Sequence, residues 1–244
     1  MSSDTNPLVP MIDKLASQTT LSDEDRAALC DMPHRFATVA GGAYIIREGD
    51  KAENCCVILS GFAYRSRIAG DGSRQILAFH MRGDMADLQN SMMSVADHSV
   101  QTLTRSEVAY IPHQAIVEIA AQHPTIGRAL WRQTLIEASI AHEWMVNLGQ
   151  RNARQRVSHF ICEMALLQKA ARLTDGPKCA WPMTQEQVAD AVGLTSVHVN
   201  RTMQGLRGDG IISINRHVLT INDWEALRRA GDFRAAYLHQ QLAA

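Results

Sequence analysis

The 244-residue sequence contains no apolar run of the roughly 18–20 residues that a membrane span needs. Its first residues lack the basic and apolar regions of a signal peptide, so we expect a cytoplasmic protein with no membrane partner. G-x-S-x-G, phosphate-cradling glycine loops and zinc-ligand spacings are also absent, so we expect neither an enzyme nor a metal site. The five cysteines form no C-x-x-C pair and are expected to stay reduced: Cys30, Cys55, Cys56, Cys162 and Cys179.

Acidic residues are comparatively scarce in the last part of the chain. Residues 150–244 carry 12 Lys and Arg against 8 Asp and Glu, whereas the remainder carries 12 against 17. The net charge is −1 and 46% of the residues are hydrophobic, as in an ordinary soluble protein. The length favours two domains. The basic C-terminal part is typical of a nucleic-acid-binding module attached to another domain.

From Phe36 to about Ile111 the sequence has short strand-like runs separated by glycine-containing turns such as Gly41-Gly42 and Arg82-Gly-Asp. Regular short strands with such turns predict an antiparallel β-roll or barrel. Cys55 and Cys56 are adjacent in one of these strands, so their side chains should point to opposite faces.

Helical patterns lie on both sides of this region, over residues 8–34, 124–148, 157–173 and 224–242. The apolar stripe of the second segment is wider than a lone surface helix requires. We therefore expect it to pack on the roll and also to pair with the same helix of a second subunit. The predicted stripe residues are Leu130, Trp131, Leu135, Ala138, His142 and Met145.

The most informative segment is 183–217, which predicts two short helices around a glycine turn, followed by a β-hairpin. Thr184 with Gln187 is a capping-box signature, and Gly193 can adopt the positive φ that ends a helix sharply. Thr195 then caps a second helix, in which Val199 and other apolar residues follow the helical period. The hairpin strands, 211–214 and 218–221, would form a wing.

The other face of the second helix carries Ser196, Val197, Asn200 and Arg201. Short polar groups and one arginine near a helix N-terminus suit the floor of a DNA major groove, so these are the predicted base-reading residues. Arg201 can donate two hydrogen bonds to guanine, and Val197 can pack against a thymine methyl group. A phosphate contact or a solvent-exposed salt bridge is the alternative role for Arg201.

A β-roll, a long helix and a C-terminal winged helix-turn-helix, in this order, resemble the Crp/Fnr transcription regulators. The sequence segments that carry the resemblance are 46–53, 57–61 and 82–84 in the roll, and Glu163, 184–189, 193–195 and 199–201 in the C-terminal part. The resemblance implies an α+β fold with a cyclic-nucleotide-binding-like roll domain (residues 1–112), a connecting and dimerisation helix (113–149) and a DNA-binding domain (150–244).

The same resemblance implies a homodimer joined through the long helix and bound to a near-palindrome, with half-sites roughly 34 Å apart. Thr195, His198 and Gln204 match positions that contact phosphates. The loop 174–181 matches a place where family activators touch RNA polymerase. The family often has glutamate at the position of Val197, so the half-site should differ from that of well-known members.

Cyclic-AMP binders of the family resemble Gly-Glu followed by Arg-Ser or Arg-Thr, whereas this chain has Gly83-Asp84 and His98-Ser99. Aspartate shortens the reach to a ribose, and histidine replaces the always-charged arginine that pairs with the phosphate. We therefore expect an unidentified effector, or none, rather than cyclic AMP. Asp84, Leu88, His98 and Ser99 are the candidate pocket residues.

No cofactor is predicted. Only Cys30 precedes the roll, which excludes the N-terminal cysteine cluster of iron–sulfur members, whereas haem stays open because His80, Met81 and His98 can supply axial ligands. The segment 85–95 is either an adaptable, methionine-rich pocket wall or a short helix packing Leu88 and Met92 on the roll.

Glu163 is expected to be a structural ion-pair partner. A signalling module whose winged helix binds protein instead of DNA is the alternative function.

Overall fold

The computed structural model describes residues 6–93 and 95–240. The chain forms two compact units, one of residues 6–67 and 77–137 and the other of residues 68–76 and 138–239. The division at residue 137 falls within the long helix, because the end of this helix packs with the C-terminal unit. In the two described stretches, no helix is both long and apolar enough to cross a membrane.

The N-terminal unit is built on two sheets preceded by two short helices. The elements are α1 (Val9–Gln18), α2 (Asp23–Cys30), β1 (Arg35–Val39), β2 (Tyr44–Ile46), β3 (Asn54–Ser60), β4 (Ala63–Ile68), β5 (Arg74–His80), β6 (Ser99–Thr102) and β7 (Ser106–Pro112). The sheet orders are β1-β7-β3 and β2-β6-β4-β5. Strand β7 pairs antiparallel with β1 and β3, and β6 pairs antiparallel with β2 and β4, which confirms the predicted antiparallel roll.

Strand β3 separates the two apolar clusters of this unit. Cys55 and Val57 lie in the cluster formed with the helices, whereas Cys56 and Ile58 lie in the cluster inside the roll. Alternating faces along a strand require this division. The prediction that Cys55 and Cys56 point to opposite faces is therefore confirmed.

The predicted long helix over 124–148 is confirmed as α4 (Pro124–Gln150), and a separate helix, α3 (His113–Gln122), precedes it in the connecting segment 113–149. The break falls at His123, whose backbone has φ −120° and ψ 89°. The ring of Pro124 disfavours helical backbone at the residue before it, so α3 has to end there. Pro124 itself suits the first turn of α4, where its missing N–H costs nothing.

The C-terminal unit contains α5 (Ala153–Ala170), β8 (Lys178–Ala180), α6 (Gln185–Val192), α7 (Ser196–Gly208), β9 (Ile212–Asn215), β10 (Val218–Ile221) and α8 (Trp224–Ala230). Strand β8, which the sequence did not reveal, adds to the predicted hairpin to give a sheet of order β8-β10-β9.

The predicted helix over 224–242 is wrong beyond Ala230. A Cβ at Gly231 would lie 2.6 Å from the backbone nitrogen of His159, and Asp232 has a φ of 46°. The chain therefore turns, buries Phe233, and forms only a 3-10 turn at Ala235–Leu238. Residues 241–242 of the predicted helix lie outside the described residues.

Candidate nucleic-acid interface

Helix α6 begins at a capping box, as the sequence predicts. Thr184 Oγ1 accepts the N–H of Gln187 at 3.1 Å, and Gln187 Oε1 accepts the N–H of Thr184 at 2.8 Å. These two bonds satisfy backbone donors that the first turn of a helix leaves free. The apolar side of α6, which includes Val188 and Ala189, is buried.

The turn after α6 is fixed by Gly193, which adopts φ 61° and ψ 45°. A Cβ here would also lie 2.8 Å from Cδ2 of Leu148, so both the backbone conformation and the space favour glycine. The Arg156 side chain donates to the carbonyls of Val192 and Gly193 at 3.3 and 3.0 Å, and to that of Arg151 at 2.8 Å. The sequence analysis did not single out Arg156, so this support was missed.

A second support comes from the hairpin segment 68–76, which belongs to the C-terminal unit. Arg74 forms an ion pair with Asp190 on α6, in which Nε and Nη2 of the arginine lie 2.8 and 2.7 Å from the same carboxylate oxygen, Oδ2. The Gln75 amide donates to the carbonyls of Asp190 and Ala191 at 2.7 and 3.3 Å. Side chains thus satisfy the last carbonyls of α6, which a helix C-terminus leaves free. Because Arg74 and Asp190 are more than a hundred residues apart in sequence, no local sequence pattern indicates that they pair.

Helix α7 presents the predicted reading face to solvent. Thr195 caps the helix by accepting the N–H of His198, and Val199, Met203 and Leu206 are buried. The four predicted base-reading side chains, Ser196, Val197, Asn200 and Arg201, are all exposed.

The three predicted phosphate-contacting residues, Thr195, His198 and Gln204, are also exposed. The ring of His198 hydrogen-bonds Thr195 Oγ1 at 3.0 Å, so His198 also helps to hold the cap.

Glu163 departs from its expected ion-pair role. It is buried on α5, where Trp144 Nε1 donates to its carboxylate at 2.8 Å and the Tyr237 hydroxyl donates at 2.5 Å. Burial raises the pKa of Glu163 to about 7, and the two hydrogen bonds only partly oppose this shift. Glu163 therefore joins α5 to the end of α4 and to the chain terminus through neutral donors.

Five of the six predicted stripe residues of α4 lie on its exposed side: Trp131, Leu135, Ala138, His142 and Met145. Leu130 does not. It is 8% exposed and packs with Ile126 and Ala129 in the core of the N-terminal unit. One residue along a helix turns the side chain by about 100°, so adjacent Leu130 and Trp131 cannot share a face.

The candidate effector residues are each held by contacts within the N-terminal unit. Asp84 pairs with Lys14 and accepts the backbone N–H of Met81 at 2.9 Å. Leu88 lies in the apolar core beside the helices. Each of these groups is thus already engaged by the N-terminal unit itself.

The other two candidate residues have partners of their own in the same unit. The His98 ring contacts Asp97 at 2.6 Å, and Ser99 Oγ accepts the backbone N–H of Glu48 at 3.0 Å. Arg65 was missed: it is largely buried and donates to the Ala86 carbonyl at 2.6 Å.

In segment 85–95 the helical alternative is partly right. A 3-10 turn at Leu88–Ser91 buries Leu88, but Met92 is 80% exposed and does not pack on the roll.

Together, a capped first helix, a left-handed glycine turn, a second helix with an exposed polar face and a three-stranded wing define a DNA-binding transcription regulator. A model of the Crp-like helix-turn-helix domain matches residues 155–230, and a model of the cyclic nucleotide-binding domain matches residues 36–123. The protein belongs to the Crp/Fnr family.

Two curated relatives and one solved structure match most of the chain. The transcriptional activator protein FnrL of Cereibacter sphaeroides is 27% identical over 215 residues, which cover 86% of each chain. The nitrogen fixation regulation protein FixK of Azorhizobium caulinodans is 29% identical over 195 residues, covering 79% of this chain and 77% of FixK. The solved structure of FixK2 from Bradyrhizobium japonicum has a TM-score of 0.74 at 23% identity, covering 82% of this chain and 98% of that one.

Proposed function

We propose that the protein acts as a homodimer that reads a near-palindromic operator with two copies of α7. The observation that carries this proposal is the apolar seam of α4. Trp131, Leu135 and Met145 are 67%, 56% and 62% exposed. With Ala138 and His142 they recur at alternating steps of four and three residues, the spacing of a coiled-coil seam. A second copy of the same helix supplies a matching apolar surface.

Replacing Leu135 by Lys places a charge in this seam and should convert the dimer to a monomer at micromolar concentration, as measured by native mass spectrometry. Met92→Lys is the matched control, since Met92 is exposed but lies outside α4. A wild-type monomer, or a Leu135→Lys dimer as stable as the wild type, would contradict the proposal.

The reading face supports base recognition by Arg201, which is exposed near the start of α7. Selection from random DNA at fixed salt should give a two-fold sequence, and Arg201→Ala should relax one base position in each half-site, at a cost of about 1–3 kcal/mol. Arg229→Ala removes an exposed arginine from α8 and should leave the selected sequence unchanged. Recovery of the same sequence with Arg201→Ala would argue for a phosphate contact instead.

We also propose that cyclic AMP is not the effector of the roll. The Asp84 carboxylate is already paired with Lys14, and His98, where cyclic-AMP binders have an arginine, is paired with Asp97. Calorimetric titration with cyclic AMP should show no saturable heat. We further propose a cytoplasmic, non-enzymatic role, and contact of the loop 174–181 with RNA polymerase stays a prediction.

A further inference from the structure

A cavity of ≈ 200 Å³ lies between the inner side of α7, the start of α6 and the wing strand β9. Its floor is apolar, and Trp181, Met183 and Met203 are each no more than 8% exposed. A cavity of about 150 Å³ lined by apolar side chains is large enough to hold benzene. The space beneath the recognition helix is therefore large enough for one aromatic ring with a small substituent.

The rim of the cavity is polar and carries one positive charge. Gln185 and Gln204 offer amide groups, and Arg207 offers a guanidinium. No acidic side chain lines the cavity, and the described residues give Arg207 no carboxylate partner. A guanidinium binds a carboxylate through two parallel hydrogen bonds. An apolar floor with such a rim suits an aromatic ring that bears a carboxylate.

An occupant of this cavity would compete with DNA. Asn200 and Gln204 line it, and both are among the residues that α7 offers to bases and phosphates. A DNA phosphate could approach the rim, but it has no apolar part to cover Trp181 and Met203. The floor therefore favours a small organic molecule over the nucleic acid backbone.

We propose that this cavity binds a small aromatic carboxylate, and that this ligand and DNA exclude one another. The exclusion rests on the proposed function, whereas the binding itself does not. Benzoate is the probe. Calorimetric titration of the full chain without DNA should show one site with a dissociation constant of about 1 mM or tighter.

Two analogues of benzoate test the contributions of its ring and its charge separately. Benzyl alcohol keeps the ring and acetate keeps the charge, and each should bind at least about tenfold more weakly than benzoate. Arg207→Gln should weaken benzoate binding about tenfold and leave benzyl alcohol unaffected, whereas Arg229→Gln, which removes an equally exposed arginine elsewhere, should change neither. Absence of saturable benzoate binding, or unchanged binding by Arg207→Gln, would overturn the site.

The competition is measured separately, with DNA carrying the selected operator. Benzoate at about ten times its dissociation constant should weaken DNA binding about tenfold relative to sodium acetate at the same ionic strength. Equal DNA binding in both salts would overturn the exclusion. If the chain binds benzoate but prefers no DNA sequence, the operator proposal fails while the site stands.

Discussion

Replacing Glu163 by Gln tests the packing of the C-terminal unit at its buried carboxyl group. Glutamine has the same shape, its oxygen can accept from Trp144 Nε1, and its amide can donate to the oxygen of Tyr237. The substitution therefore keeps both contacts while removing the charge that Glu163 acquires on ionisation. What changes is the cost of burying that charge.

The expected stability difference follows from the pKa of Glu163. Burial raises the pKa of Glu163 from an ordinary 4.5 to about 7, which corresponds to about 3 kcal/mol. Because the folded state holds the proton more tightly than the unfolded state, the wild type loses this stability as pH rises from about 4.5 to 7. The two proteins should match near pH 4, and Glu163→Gln should be more stable by up to about 3 kcal/mol at pH 8.

The assay is urea unfolding at a series of pH values, followed by tryptophan fluorescence. His159 has a pKa lowered to about 3 by burial and by Arg151, so its contribution is lost as pH falls below 6.5. That contribution is common to both proteins and cancels in the difference. Glu225→Gln, on the exposed side of α8, is the control for removing a carboxyl group that is not buried. A difference that is constant from pH 4 to 8 would refute the reasoning.

Substitutions at three further positions, Gly193, Gly231 and Thr195, test the turns and the cap, each beside a companion variant. Gly193→Ala should lower the free energy of unfolding by about 1–2 kcal/mol and weaken DNA binding, because an alanine strains the left-handed backbone and its Cβ contacts Leu148 too closely. Adding Leu148→Ala should relieve the close contact but not the backbone strain. Gly231→Ala should lower the melting temperature because its Cβ meets backbone, whereas Gly208→Ala, which meets nothing within 4 Å, should stabilise by about 0.5–1 kcal/mol. Thr195→Ala should cost about 1 kcal/mol of unfolding free energy, and Thr195→Ser should restore most of it. Denaturant titrations that rank these variants otherwise would contradict the packing described.

Local chemistry made the recognition segment predictable. Thr184, Gly193 and Thr195 act through their own backbone neighbourhood, and the buried positions of α7 follow the helical period. The same reasoning could not locate the supports of α6, because Arg74 and Asp190 are distant in sequence and each resembles an ordinary surface charge.

The wrong predictions also concern features that depend on contacts between residues distant in sequence. The terminal helix pattern continued past Ala230, but tertiary packing of Gly231 on α5 overrode it. Met92 fits an apolar helical position, yet the 3-10 turn before it ends too soon to bring it onto the roll. Glu163 has the charge of an ion-pair partner, but only the fold shows that its neighbours are Trp144 and Tyr237.

The exposed side of α7 has a consequence for how such a regulator changes over time. Ser196, Val197, Asn200 and Arg201 are all exposed, while the fold depends on Val199, Met203 and Leu206 behind them. Exchanges at exposed positions usually change stability by no more than about 0.5 kcal/mol. Under the base-reading role proposed for α7, new operator preferences can therefore arise by single substitutions without compensating changes elsewhere, so copies of such a regulator can diverge in their targets while retaining the same fold.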